Sequence, residues 1–231
     1  MAFLTRVKLS SEPSASAPPR SALYGPLAVA LWTLGLVLCA STVTGCAGNA
    51  SETEYFILDA TNEHEPAVAH DEITLRVQRF TVDTEFASKN LVYRLAEFKY
   101  QIDPYRQFLI PPGTMIAEQT RQWLSASGLF HVVLLANSRI EPTDTLEASV
   151  TALYGDFRDA AAPVAVMEIR FFLVPRSSGL ETVAFSRTYR ATNRILVRTP
   201  EALMEAYNKD LREILTRLQE DLREFLASQT R

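Results

Sequence analysis

Residues 145 to 196 read TLEASVTALYGDF (145–157), RDAAAP (158–163), VAVMEIRFFLV (164–174), PRSSGLE (175–181) and TVAFSRTYRATNRIL (182–196). The three longer runs are rich in Val, Ile, Phe, Tyr and Thr and alternate in polarity over much of their length, as strands lying on a core do. RDAAAP and PRSSG are short polar joins of hairpin length. Consecutive long strands with short joins make an antiparallel meander, and the rest of the chain is read outward from it.

Upstream, EYFILDA (54–60) has the composition of a short buried strand. In ITLRVQRFTVD (73–83), Ile73, Leu75 and Val77 fall on one face and Arg76 and Gln78 on the other, the pattern of a half-buried strand. LVYRLAEFKYQID (91–103) repeats the alternation less cleanly, and YRQFLI (105–110) stops at Pro111 and Pro112, which cannot continue a ladder. The period then changes. TMIAEQTRQWLSASG (114–128) places Ile116, Thr120, Trp123 and Ser127 at helical spacing, with Thr114 as expected N-cap and Gly128 as the stop. LFHVVLL (129–135) returns to strand character.

The last segment predicts a long helix from Thr199 to about Ala227. Thr199 is the expected N-cap and Pro200 the first helical residue, while Leu203, Tyr207, Leu211, Ile214, Leu218, Leu222 and Phe225 recur at steps of three and four. The expected fold is therefore α+β: an antiparallel-rich sheet with two helices packed on one face, the second long enough to cross the sheet.

The N-terminus reads differently. Arg6, Lys8 and Arg20 precede the apolar run LAVALWTLGLVLCA (27–40), and small residues follow up to Cys46. Basic region, apolar run and small-residue site, in that order, form an export signal. The uncharged stretch 21–45 is also just long enough to span a bilayer, but its dense apolar part is nearer signal length and is interrupted by Pro26 and Gly35. Cys39, the other cysteine, lies in that apolar run, so a bridge to Cys46 would staple nothing, and no partner stands at zinc-ligand spacing. The residues VTGC (43–46) resemble the lipobox of bacterial lipoproteins, in which the signal is removed before the Cys and the Cys is lipidated. Ala47, rather than Asp, implies by the same resemblance sorting to the outer membrane, lipid-anchored on the periplasmic side.

Three parts follow: a signal peptide over 1–45, a lipidated tether over 46–53 and a single α+β domain over 54–231. Removal of 1–45 takes three basic residues and one acidic residue from the 23 and 27 of the whole chain. That leaves 20 against 26, a net charge of −6 over 186 residues. An acidic mature chain is a poor partner for nucleic acid.

Catalytic spacings are absent: no G-x-S-x-G, G-x-G-x-x-G, P-loop or H-E-x-x-H occurs. His64, His70, Asp71 and Glu72 share a polar loop without a ligand spacing, so no metal is expected, and no cofactor beyond a covalent lipid on Cys46. The expectation is a protein that is not an enzyme. VYRLAEFKYQIDPYRQF (92–108) interleaves aromatic and basic residues. It reads either as a surface for a protein or lipid headgroup, with Tyr93, Arg94, Tyr105 and Arg106 as the contact residues, or as a sheet edge with cations snorkelling over rings.

EYFILDA, LVYRLAEFKYQIDPYRQFLIPPGTMIAEQTRQWLSASGLF and LEASVTALYGDFRD, in that order behind a lipobox, resemble the ABC-type transport auxiliary lipoprotein family of intermembrane transport lipoproteins. The resemblance implies action beside an inner-membrane ABC permease, its ATPase and an MCE-domain protein, in lipid transport between membranes. It also allows homo-oligomeric rings. It carries over no catalytic residue and matches only Cys46 as a functional residue. A structural or assembly lipoprotein of the cell envelope is the alternative.

Overall fold

The computed structural model describes residues 52–61, 70–176 and 183–229. The longest ladders follow the alternating runs of residues 145–196. β7 (Asp144–Asp156) pairs antiparallel with β8 (Val164–Pro175), and β8 pairs antiparallel with β9 (Phe185–Arg194), the expected meander. On its other edge β7 takes three parallel partners in succession. They are β2 (His70–Val77) at its start, β3 (Thr81–Val82) at its middle and β4 (Asn90–Ala96) at its end. β6 (Phe130–Leu134) extends the flank parallel to β2. β4 turns through Glu97 and Phe98 into antiparallel β5 (Lys99–Phe108), and β1 (Glu54–Phe56) adds parallel to β5 as an edge.

The sheet is thus mixed, with its long ladders antiparallel. The sequence pattern does not announce its short parallel pairings, because parallel and antiparallel strands share the period of two. EYFILDA is a strand only over its first three residues. Beyond them, buried Leu58 and Ala60 bind side chains instead, Leu58 N donating to Met115 Sδ and Ala60 N to Gln119 Oε1.

Two helices lie on the sheet. α1 (Pro112–Ala126) starts two residues earlier than Thr114, so Thr114 is not its cap. The N-cap position is Pro111, which offers no side-chain hydrogen bond. Pro112 stands at the first position, where its fixed φ suits a helix and its missing N–H costs nothing. Gly128 follows the helix at φ 67°, the left-handed backbone that favours glycine. Gly113 allows the start of α1 to approach β2 and β3: a Cβ there would lie 2.4 Å from the Phe80 carbonyl oxygen. α2 (Pro200–Gln229) begins as expected, with Ala202 N donating to Thr199 Oγ1 at 3.3 Å. Leu203, Tyr207, Leu211, Ile214, Leu218 and Leu222 are buried, and Phe225 is half-buried against the same core. α1 and α2 meet where Trp123 Nε1 donates to Gln219 Oε1 at 2.8 Å, which puts both on one face of the sheet.

The buried stripe of α2 contains one carboxylate. Asp210 is wholly buried and accepts a 2.7 Å hydrogen bond from Asn193 Nδ2 of β9, while its Oδ2 has no hydrogen-bond partner. Burial raises its pKa to about 7, and Glu213 adds to the rise.

Candidate functional site

The aromatic and basic segment folds into the β4–β5 hairpin. A lone Asp-Pro step shapes it. In register, Val92 faces Ile102 but Asn90 faces Gln107, so the residues from Asp103 to Arg106 bulge out of β5. Asp103 organises that bulge. Its Oδ1 accepts from the backbone N–H of Tyr105 at 2.9 Å and of Arg106 at 3.1 Å, an Asx turn of the kind Asp-Pro favours. Its Oδ2 accepts from the Tyr93 hydroxyl at 3.0 Å and from Arg106 Nη1 at 3.4 Å. Asn90 Nδ2 donates to its carbonyl at 2.7 Å. Burial pushes the Asp103 carboxyl up, but these donors outweigh it and hold it below the ordinary carboxylate value. Desolvation, followed by the neighbouring Asp103 charge, pushes the Tyr93 hydroxyl well above a free tyrosine.

Each sequence-derived contact residue can now be placed. Tyr93 and Arg106 converge on Asp103, and Arg106 also reaches Glu54 of β1 at 3.1 Å. Arg94 turns away from them: its Nη2 donates to the Glu97 carbonyl at 2.9 Å, and its guanidinium lies 5.6 Å from the centre of the Tyr100 ring. Both arginines thus make intramolecular bonds that hold the hairpin. Tyr105 is 46% exposed and is the freest of the four. It is one of several exposed apolar residues on and beside β1 and β5, with Tyr55, Ile57, Tyr100 and Ile102. Cys46 lies outside the described residues, as does His64.

Behind the hairpin is a cavity of about 300 Å³, lined by Tyr93, Leu95, Arg106, Phe157, Arg198 and Leu203. Leu95, Phe157, Pro200 and Leu203 give it apolar walls, and Tyr93, Asp103, Arg106, Arg198 and Thr199 bring polar groups. A cavity of about 590 Å³ at the other end of the sheet is lined by Arg76, Gln78, Glu141, Thr145, Arg176 and Val183. In the first, the Tyr93 hydroxyl and Arg106 are both bound to Asp103, and the second holds Arg76 and Arg176 with Glu141. Among the described residues no three His, Cys, Asp or Glu side chains are placed to hold a metal, and His131 is exposed on β6. No described helix is long and apolar enough to cross a membrane.

Sequence reasoning missed Asp103 and Asp210. The Asp-Pro step inside an alternating run was the available signal for the first. For the second it was an acid three residues after Tyr207 and four before Ile214, on the apolar stripe itself.

No family model and no curated protein matches this chain by sequence. Among solved structures, protein XCC0632 from Xanthomonas campestris, of the family model DUF330, matches with a TM-score of 0.65 at 17% identity. That match covers 77% of this chain and 99% of that one. An uncharacterised protein matches at 0.58 and 13% identity, over 74% of this chain and 99% of that one. A PelC dodecamer from Paraburkholderia phytofirmans gives 0.40 at 18% identity, over 67% and 92%, which is too remote to bear on assembly. At these identities what is shared is the fold, and the chain carries the fold of XCC0632 over nearly the whole of that protein.

Proposed function

We propose that this chain is a lipoprotein of the cell envelope, anchored through lipidated Cys46 in the outer membrane on its periplasmic side. In this reading it serves as the non-enzymatic auxiliary subunit of an MCE-type ABC system for lipid transport between membranes. The observation that carries the anchor is VTGC (43–46) at the end of an apolar run, with the first described strand beginning at Glu54. Several acyl chains on one cysteine, at about 0.8 kcal/mol per buried methylene, make such an anchor stable where a single chain would bind only marginally. The transport role draws on the family resemblance, and the fold shared with XCC0632 is compatible with it. The exposed apolar set around Tyr105 is the surface offered to a partner subunit or a second copy, with Arg94 and Arg106 holding the hairpin that presents it.

Cys46→Ala tests the anchor. The variant should accumulate as an uncleaved precursor without lipid mass, and normal processing with retention in the outer membrane would sink the reading. Affinity purification from membranes tests the role: a permease, an ATPase and an MCE protein should co-purify, whereas assembly factors alone would point to a structural lipoprotein.

A further inference from the structure

Three connections at one end of the sheet are tied to one another. β4, β7 and β9 all run toward that end. The turn at Glu97 and Phe98, the β7–β8 connection and the β9–α2 connection therefore emerge side by side. Arg158 Nη1 donates to Glu97 Oε2 at 2.8 Å, Arg198 Nη2 donates to the Ala160 carbonyl at 2.6 Å, and Ile195 N donates to the Pro163 carbonyl at 2.9 Å. The polar groups of the loops are used among themselves, and the apolar side chains are left outside. Phe98 is 95% exposed, Leu196 75% and Val197 62%.

Isolated exposed apolar residues are ordinary, and the opposite end has its own in Leu135, Ile140 and Val183. What distinguishes the ends is where the chain enters the domain. β1 runs parallel to β5 with Glu54 opposite Arg106, so the residue before Glu54 lies on the Lys99 side of that register. Only seven residues, 47–53, separate Cys46 from Glu54, a span of under about 30 Å even when fully extended.

We propose that this end of the domain is a lipid-contacting face, with Phe98, Leu196 and Val197 entering the headgroup and acyl boundary of the bilayer that holds Cys46. The proposal rests on the lipidation of Cys46. Exposed Lys99 stands beside Phe98, where a long cationic side chain can reach lipid phosphates while its stem stays in apolar surroundings. An anchor alone does not set the orientation of the domain. Three apolar tips on bonded loops fix its orientation, with β4, β7 and β9 pointing at the membrane and the Ile140 end toward the aqueous space.

The test places a tryptophan at each end of the full-length lipidated protein, as Phe98→Trp, Val197→Trp and Ile140→Trp. Buried Trp123 gives the same background in all three. Each is reconstituted in vesicles of phosphatidylethanolamine and phosphatidylglycerol with brominated acyl chains. Phe98→Trp and Val197→Trp should shift to shorter emission wavelength and lose most of the added fluorescence to bromine quenching, while Ile140→Trp should show neither effect. Equal quenching at both ends, quenching at Ile140→Trp alone, or none at either end would overturn the proposal, and the last would assign the tips to a protein partner. Intact mass of the same samples separates the two readings. Unmodified Cys46 overturns the anchor and the orientation with it, whereas lipidated Cys46 with unquenched tips overturns only the orientation.

Discussion

Asp210→Asn should make the protein more stable, and only at higher pH. In the unfolded chain Asp210 titrates near the ordinary aspartate value of 3.8, while in the native core its pKa is about 7. A carboxyl whose native pKa is raised binds its proton more tightly when folded. Its contribution is therefore neutral below the unfolded pKa and becomes a penalty as pH rises through the window from about 4 to about 7. Three units at 1.36 kcal/mol each give about 4 kcal/mol of destabilisation at pH 8.5. Asparagine has the same shape and keeps an oxygen to accept from Asn193 Nδ2, but carries no charge to desolvate. Urea unfolding of the purified protein, followed by circular dichroism at about pH 5 and pH 8.5, measures both midpoints. The other shifted carboxylates, Asp103, Asp156, Glu118 and Glu168, are held low and so act in the opposite sense at lower pH. They cancel in the difference between variant and wild type. That difference should grow by roughly 3 kcal/mol between the two pH values. A pH-independent difference would mean that Asp210 is already ionised in the native core, and the argument from its unpaired oxygen would fail.

Asp103→Ala strands the Tyr93 hydroxyl and two backbone N–H groups, and should cost about 3 kcal/mol at neutral pH. The cost should shrink as pH falls through the depressed native pKa of Asp103, which thermal melts at pH 7 and pH 3 would show. Ile214 is wholly buried at the centre of the α2 stripe, so Ile214→Asp should cost about 4 kcal/mol or more. An unchanged melting temperature would mean that the stripe does not pack on the sheet in solution.

The meander and both helices were legible because their signals are local. Residues 144 to 194 alternate over long runs, and α2 carries a proline start, a threonine cap and an unbroken stripe. What escaped the sequence was pairing at a distance. Nothing in ITLRV or LVYRL says that Leu75 will face Asp144 or that Tyr93 will face Gly155, since period two is silent about direction and partner. The turn at Glu97 and Phe98 has no glycine, asparagine or proline to announce it, so two strands read as one irregular run. The contact residues were legible as a composition. That Arg94 and Arg106 hold the hairpin depends on Glu97, Asp103 and Glu54, the last of which is far away in sequence.

The parallel edge of β7 also sets an order of events for folding. β2, β3 and β4 all precede β7 in the chain by tens of residues, and none of them can complete its pairing until β7 exists. A chain emerging from its N-terminus would leave these edges open until residues 144–156 are delivered, even though β4 can pair at once with β5, and the pairing with β7 is then a slow, long-range closure. β7 and β8, joined by a short loop, can nucleate without help. The folding rate should therefore respond sharply to substitutions in that hairpin, and substitutions in β2 or β4 should act mainly on the rate of unfolding.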